Sequence, residues 1–280
     1  MRKTRSSARR YPWILLVLTW TYLTWYFLPL LLAIRTSFTL QPLTNGPPAG
    51  WSLDQYRSVW RNPDSFTMLW RSARMASTTI LIALPLGTMA ALAIRHWVHL
   101  TARAVTLLIL FAIALPQILL GSSLFLFFVS MDIAVGTTAQ VIGHITVAIP
   151  FVTLIALAGT LTVDPEQERA AGDLGASPIQ IVRRVTLPLM APSIVAAASV
   201  AFVISYDNFV ISQSLCIETI RCETVPMALF GRGGVPNPGA PAYALATLAL
   251  LGTLTATALL AILWNLARRR TSARAGIADG

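Results

Sequence analysis

Lysine and charge are both scarce in this chain. Of its 280 residues only 11% are charged and 55% are hydrophobic, whereas soluble globular proteins have about 25% charged residues. Lys3 is the only lysine, so all other basic residues are arginines. A phosphate-binding P-loop ends on a lysine, and no such loop exists here. The composition therefore favours an integral membrane protein and excludes ATP hydrolysis by a P-loop in this chain.

Patterns for binding metals or nucleic acids are also missing. The histidines His96, His99 and His144 have no zinc spacing, and the two cysteines make no metal site by themselves. The net charge of +10 comes from arginines at the edges of the apolar runs, whereas a nucleic-acid-binding surface groups them on one face. We therefore expect no catalytic residue, no metal, no cofactor bound by this chain and no nucleic-acid partner.

Six apolar stretches are long enough to cross a bilayer as helices, which takes about 20 residues each. They predict an all-α polytopic membrane protein with one transmembrane domain at 11–266. Pro116 interrupts the third span, which neighbouring helices can tolerate. The predicted spans are about 11–34, 74–94, 104–129, 137–160, 191–212 and 242–266.

The basic residues indicate the orientation of these spans. A cytoplasmic N-terminus places fourteen Lys and Arg residues inside and seven outside. The tails 1–10 and 267–280 and the connection 161–190 are then cytoplasmic, and we expect a multi-pass protein of the bacterial inner membrane. Cys216 and Cys222 fall on the oxidising side, either as a disulfide that closes "CIETIRC" or as two free thiols.

The connection 161–190 is unusually polar and carries two helix starts. Asp164 before Pro165 and Ser177 before Pro178 each offer an N-cap followed by proline at the first helical position. Gly175 between them suits a left-handed helix end. The pattern predicts two short helices, the second ending at Leu187-Pro188, and favours a docking element. A solvated connecting loop is the alternative.

The run "RAAGDLGASPIQIVRRVTLP", 169–188, resembles the EAA loop of ABC-importer permeases. "SYDNFVIS" (205–212) and "LPQILLGSS" (115–123) resemble segments of the spermidine/putrescine permeases in that family. The resemblance implies a type I importer permease whose loop at 161–190, here called the coupling loop, docks into a cytoplasmic ATPase. The implied ATPase-coupling residues are Glu166, Glu168, Arg169, Ala170, Ala171, Asp173, Leu174, Gly175, Ala176, Leu187 and Pro188.

The family motif has glutamate where this chain has Arg169, with Glu168 one position earlier. Neighbouring helical residues point about 100° apart, so Glu168 does not simply replace the motif's glutamate. The ATPase contact involves either Arg169 or the carboxylates of Glu166 and Glu168.

A carboxylate at Asp207 inside the fifth span is costly at bilayer depth, so we expect it to face a cavity or a cationic solute. A position nearer the outer interface, or a structural pair with an arginine, is the alternative. The resemblance implies a substrate path near Tyr206, Asp207, Asn208 and Gln117. Gln117 and Asn208 stand where the polyamine permeases have acidic residues. The implied solute is a polyamine such as spermidine or putrescine, with another organic solute as the alternative.

The resemblance also implies partners. These are a second permease chain, with a heterodimer as the expected pair, two ATPase subunits that hold ATP and Mg²⁺, an external solute-binding protein, and membrane lipids. An ion-gradient-driven secondary transporter is the rival interpretation, although the chain shows no convincing internal repeat. A membrane-embedded hydrolase is a second rival, but no motif groups Ser205, His144 and Asp207 as catalytic residues.

Overall fold

The computed structural model describes residues 12–39, 50–97, 99–217, 222–230 and 242–278, so the predicted tail at 1–10 lies outside the described residues. All regular elements of these residues are helical, which confirms the predicted all-α class. The helices are α1 (Pro12–Ser37), α2 (Asp54–Arg61), α3 (Pro63–His96), α4 (His99–Ala114), α5 (Gln117–Ser130), α6 (Thr137–Thr160), α7 (Pro165–Asp173), α8 (Pro178–Ile181), α9 (Leu187–Tyr206), α10 (Phe209–Leu215), α11 (Val225–Phe230) and α12 (Ala242–Ala278); a π-helical turn, Val182–Thr186, joins α8 to α9.

The chain forms two compact units. Of the described residues, the first unit holds 12–39, 50–62 and 242–247, and the second holds 63–97, 99–217, 222–230 and 248–278. In the first unit, the side-chain amide of Gln55 donates to the carbonyl oxygens of Thr36 and Thr39 at 2.9 and 3.0 Å. These bonds tie α2 to the end of α1.

Small residues form the centre of the second unit, where α3, α6 and α9 pack together. The core contains Ala83 of α3, Ala148 and Val152 of α6, and Ala197 and Ala201 of α9, all fully buried. A Cβ added to Gly87 would lie 2.6 Å from Val152 Cγ1. Membrane helices associate closely through such small residues because lipid supplies no hydrophobic force between them.

Among the described residues, five helices are long and apolar enough to cross a membrane: α1, α3, α6, the continuous helix Pro178–Tyr206, and α12 over Ala242–Leu266. A sixth candidate is the pair α4 and α5, which meet at 96° across Leu115 and Pro116. The predicted third span, 104–129, therefore consists of two helices with a sharp bend between them. Proline has no N–H to continue a helix, and Pro116 is the N-cap of α5.

The fifth predicted span, 191–212, is also interrupted. Helix α9 ends at Tyr206, and α10 begins at Phe209 after Asp207 and Asn208. Interrupted backbone at membrane depth is tolerated where protein surrounds it or where it lines a cavity. The two helix breaks, at 115–116 and at 207–208, thus mark the interior positions where side-chain chemistry can act.

Candidate functional site

Both predicted helix starts of the coupling loop are confirmed. Asp164 caps α7, since its Oδ1 accepts the N–H of Glu166 at 2.9 Å. Ser177 and Gln180 form a capping box at α8, in which each side chain accepts the other residue's backbone N–H. Such caps form hydrogen bonds to backbone amides that have no partner inside the helix. Residues of the coupling loop itself therefore stabilise the starts of both of its helices.

The turn between α7 and α8, here called the first and second coupling helices, depends on Gly175. This residue has φ +83°, and the following N–H, of Ala176, donates to the carbonyl of Ala171 at 3.1 Å. A left-handed residue at a helix end is the expected place for glycine, which has no Cβ to clash there.

The second coupling helix does not end at Leu187 and Pro188, so that part of the prediction is wrong. The helix continues from Pro178 to Tyr206 through the π-helical turn. In this turn the N–H of Leu187 donates to the carbonyl of Val182, five residues back. We attribute the continuity to this wider turn, which shifts the bonding register just before Pro188, where no N–H is available. The coupling loop is therefore joined directly to the fifth span.

Apolar side chains on the coupling loop point away from the rest of the chain. Leu174 is 90% exposed at the end of α7, and Ile179 is 79% exposed on α8. The predicted coupling residues Glu166, Arg169, Ala170, Asp173, Leu174, Gly175 and Pro188 are exposed; Glu168, Ala171, Ala176 and Leu187 are half-buried. Exposed apolar groups beside charged ones are typical of a protein-binding surface.

The charged residues of α7 have different neighbours. Arg169 forms an ion pair with Glu166 at 2.5 Å, and both side chains are more than two-thirds exposed. Glu168 instead turns inward to Arg95 at the end of α3. The sequence left either Arg169 or the carboxylates of Glu166 and Glu168 as the ATPase contact, and of these three side chains Arg169 and Glu166 are exposed whereas Glu168 is shielded.

Two of the predicted path residues meet at the helix breaks. The Asn208 amide donates to Gln117 Oε1 at 3.1 Å, and Asn208 Oδ1 accepts the N–H of Ile211 as the N-cap of α10. Gln117, the first residue of α5, also lines a mostly apolar cleft of about 70 Å³. Asp207 is exposed and makes no side-chain hydrogen bond or ion pair to any described residue.

Tyr206, the last residue of α9, makes a different set of contacts. Its ring stacks on Phe202 at 5.4 Å and is buried against Ala76 of α3. A Cβ added to Gly252 of α12 would lie 3.2 Å from its hydroxyl oxygen. The structure therefore gives Tyr206 a packing position between helices, while Gln117, Asp207 and Asn208 lie at the breaks.

The sequence did not reveal a buried network of hydrogen bonds that joins α6 to α9 and α10. His144 of α6 is 1% exposed; its Nδ1 lies 2.8 Å from Ser205 Oγ and its Nε2 lies 3.0 Å from Ser212 Oγ. Ser205 Oγ in turn donates to Thr79 Oγ1 of α3 at 3.1 Å. One imidazole thus connects α6 to both sides of the break at 207–208. The available signal was a histidine inside an apolar helix.

Gln140, one helical turn before His144, supports the same segment. Its amide nitrogen donates to the carbonyls of Ser212 and Cys222 at 3.0 and 3.1 Å. Cys222 is joined to Cys216 by a disulfide, with Cα atoms 5.7 Å apart. The bridge closes the chain just after α10. The second half of the broken span is consequently held at its start, its middle and its end.

Comparison with known proteins places these features in a family. Residues 83–269 match the model of the "binding-protein-dependent transport system inner membrane component" family. The chain is 30% identical over 254 residues to the putrescine transport system permease protein PotI of Escherichia coli K12, which covers 87% of this chain and 88% of that protein. It is 26% identical over 181 residues to the spermidine/putrescine permease PotC of Haemophilus influenzae, covering 65% and 70%.

A solved structure shows the same fold. A bacterial ABC transporter involved in the import of the acidic polysaccharide alginate superposes with a TM-score of 0.69 over 90% of this chain and 95% of that chain, at 13% identity. The family match covers both helix breaks, the coupling loop and most of the helical bundle. The chain thus belongs to the inner membrane components of binding-protein-dependent transport systems, and it is a multi-pass permease subunit rather than an enzyme.

Proposed function

We propose that this permease forms the path for a polyamine such as spermidine or putrescine. The observation that carries this choice is Asp207, an exposed carboxylate at the break of the fifth span. The permeases named for putrescine and for spermidine and putrescine are among its relatives. A carboxylate in a membrane interior is favourable only beside water or a cation. A polyamine supplies that cation.

The energy comes from a separate motor. Two cytoplasmic ATPase subunits, which hold ATP and Mg²⁺, dock on the coupling loop through the exposed Leu174 and Ile179. Both chain termini are cytoplasmic, as the excess of basic residues on that side supports. Because α8 continues into α9 without a linker, a movement of the loop reaches the break at 207–208 as a movement of one helix.

Two further partners complete the importer. A second permease chain, different from this one, forms the other half of the path, and an external solute-binding protein delivers the solute. The family description and the relatives' names support a binding-protein-dependent system. ATP and Mg²⁺ remain on the ATPase, and this chain binds no cofactor.

One observation favours a different solute. Gln117 and Asn208 satisfy each other with an uncharged hydrogen bond, so the breaks contribute one carboxylate rather than several. A neutral or singly charged organic solute needs no more than that. The same importer mechanism would apply to it.

Neutralising Asp207 distinguishes these solutes. The complex with its ATPase and binding protein, reconstituted in liposomes, is supplied with labelled spermidine, putrescine or a neutral amino-alcohol analogue. For Asp207→Asn we expect polyamine import to fall at least about tenfold, since a charge-assisted hydrogen bond contributes roughly 1.5–3 kcal/mol. Import of the neutral analogue changes little.

Asp132→Asn is the matched control, because it removes an exposed carboxylate beyond the end of α5. It should leave polyamine import unchanged. Equal import of polyamine by wild type and Asp207→Asn would reject the role of Asp207 in binding the solute. A wild-type complex that imports the neutral analogue but neither polyamine would reject the polyamine proposal and favour a neutral solute. Loss of both activities in Asp207→Asn would assign Asp207 to the structure rather than to the solute.

A further inference from the structure

Arg95 and Glu168, which are 73 positions apart in the sequence, form a bidentate ion pair. Arg95 Nη1 donates to Glu168 Oε1 at 3.1 Å, and Nη2 donates to Oε2 at 3.0 Å. Such fork-to-fork geometry fixes the orientation of both groups as well as their distance. Arg95 lies at the end of α3, and Glu168 lies in α7 of the coupling loop.

Two more bonds widen this contact into a small cluster. Arg95 Nη2 also donates to the carbonyl of Val163, at 3.3 Å, and the hydroxyl of Thr186 donates to Glu168 Oε1 at 2.5 Å. Thr186 is fully buried in the π-helical turn. The four residues Arg95, Val163, Glu168 and Thr186, here called the latch, join the end of α3, the exit of α6, helix α7 and the start of α9.

The latch is shielded from water. The Arg95 and Glu168 side chains are 14% and 16% exposed, against 71% and 72% for Arg169 and Glu166. Below it, Ala91, Ala156 and Met190 pack against Val163 in a buried apolar cluster. Exposed ion pairs contribute little to structure, whereas removing one partner of a shielded pair leaves an uncompensated charge.

We propose that Arg95 is a positioning residue for energy coupling, and that the latch makes α3, α7 and the start of α9 move as one body. This inference rests on the proposed docking of an ATPase at the coupling loop. Glu168 then serves inside the permease, and the surface pair of Glu166 and Arg169 is left to meet the ATPase. Without the latch, α7 still binds the ATPase but transmits its movement poorly.

The test compares coupling with simple loss of structure. The complex of permease, ATPase and binding protein is reconstituted in liposomes, and labelled putrescine imported per ATP hydrolysed is measured for wild type, Arg95→Gln, Glu168→Gln and the double variant. Amide hydrogen exchange of residues 166–175 is followed in parallel. We expect each single variant to lower the ratio roughly fivefold, the size typical of a coupling between sites, with faster exchange in α7.

Two comparisons sharpen the result. The double variant should be no worse than either single one, because both remove the same contact. Arg95→Lys should recover part of the ratio, since lysine keeps the charge but cannot make the fork. Arg103→Gln, which removes an exposed arginine from α4, is the matched control and should keep the wild-type ratio.

Each other outcome has a definite meaning. An ATPase that binds and hydrolyses with an unchanged putrescine-to-ATP ratio in Arg95→Gln would overturn the latch and leave the proposed function intact. Additive losses in the double variant, or a lower ratio without faster exchange in α7, would also overturn it. A wild-type permease that binds no ATPase would reject the proposed function, and the latch's role in coupling with it.

Discussion

The helix break at 207–208 and the coupling loop differ in which side chains are buried and which are exposed. Around the break, polar side chains sit inside an apolar bundle, and His144 and Asn208 have their hydrogen bonds supplied by the same chain. On the coupling loop, the backbone is capped from within while Leu174 and Ile179 remain exposed. Around the break, Asp207 and the buried amide oxygens of Gln140 and Gln213 have no hydrogen-bond partner among the described residues; on the coupling loop, the uncovered groups are apolar side chains.

The contrast indicates that the region around the break stabilises the permease, whereas the coupling loop offers a surface for a partner. A buried polar group costs free energy unless it is bonded, so the network around His144 keeps the break in one conformation. An exposed leucine costs free energy until another surface covers it. We therefore expect substitutions near His144 to change the stability of the permease, and substitutions of Leu174 to change its binding to the ATPase.

Removing the imidazole of His144 should have the largest effect. His144→Leu leaves the hydroxyls of Ser205 and Ser212 without their partner. We expect the free energy of unfolding in mixed micelles to fall by about 2 kcal/mol, since two hydrogen bonds of about 1 kcal/mol each are lost. Thr146→Val, which removes a hydroxyl bonded only within its own helix, should change it by less than about 0.5 kcal/mol. Equal effects of the two changes would contradict the assigned network.

Changing Leu174 should affect the partner rather than the fold. Leu174→Asp is expected to weaken ATPase binding to the purified permease about tenfold, since burying a leucine contributes roughly 1.5–3 kcal/mol. The melting temperature should stay the same because the side chain is 90% exposed. Leu100→Asp, at an exposed leucine of α4, is the control for adding a carboxylate. A lower melting temperature with unchanged affinity would show that Leu174 is a structural residue.

The smallest effect concerns the turn between the coupling helices. Gly175→Ala places a Cβ on a residue with φ +83°, which costs about 1 kcal/mol. Amides of residues 172–177 should exchange several-fold faster with deuterium in this variant. Gly172→Ala meets only Ile181 Cδ1, at 3.8 Å, and should leave exchange unchanged or slower. Equal exchange in the two variants would mean that the turn does not require a glycine at position 175.

The features of this permease that could be predicted are those that depend on residues close together in the sequence. The caps at Asp164 and Ser177 and the turn at Gly175 each depend on a few consecutive positions, so local rules were enough. The pairing of Gln117 with Asn208 joins residues 91 positions apart. Both were singled out by resemblance, but only the folded bundle brings them together.

The contacts that could not be predicted depend on how helices cross. Arg95 counted only as a basic residue at a span end, although it pairs with Glu168. His144 carried no motif, because its partners come from α9 and α10. The predicted helix end at Leu187-Pro188 failed for another reason: the π-helical turn absorbs a proline that a regular helix would not.

The central claim is that this permease is driven by an ATPase docked on the coupling loop. The most direct measurement is to purify the tagged chain in mild detergent, identify the proteins that come with it, and assay putrescine import in liposomes with ATP or with an ion gradient. We predict that an ATPase copurifies and that import requires ATP and the binding protein. A chain that purifies alone and moves putrescine on an ion gradient without ATP would contradict the account.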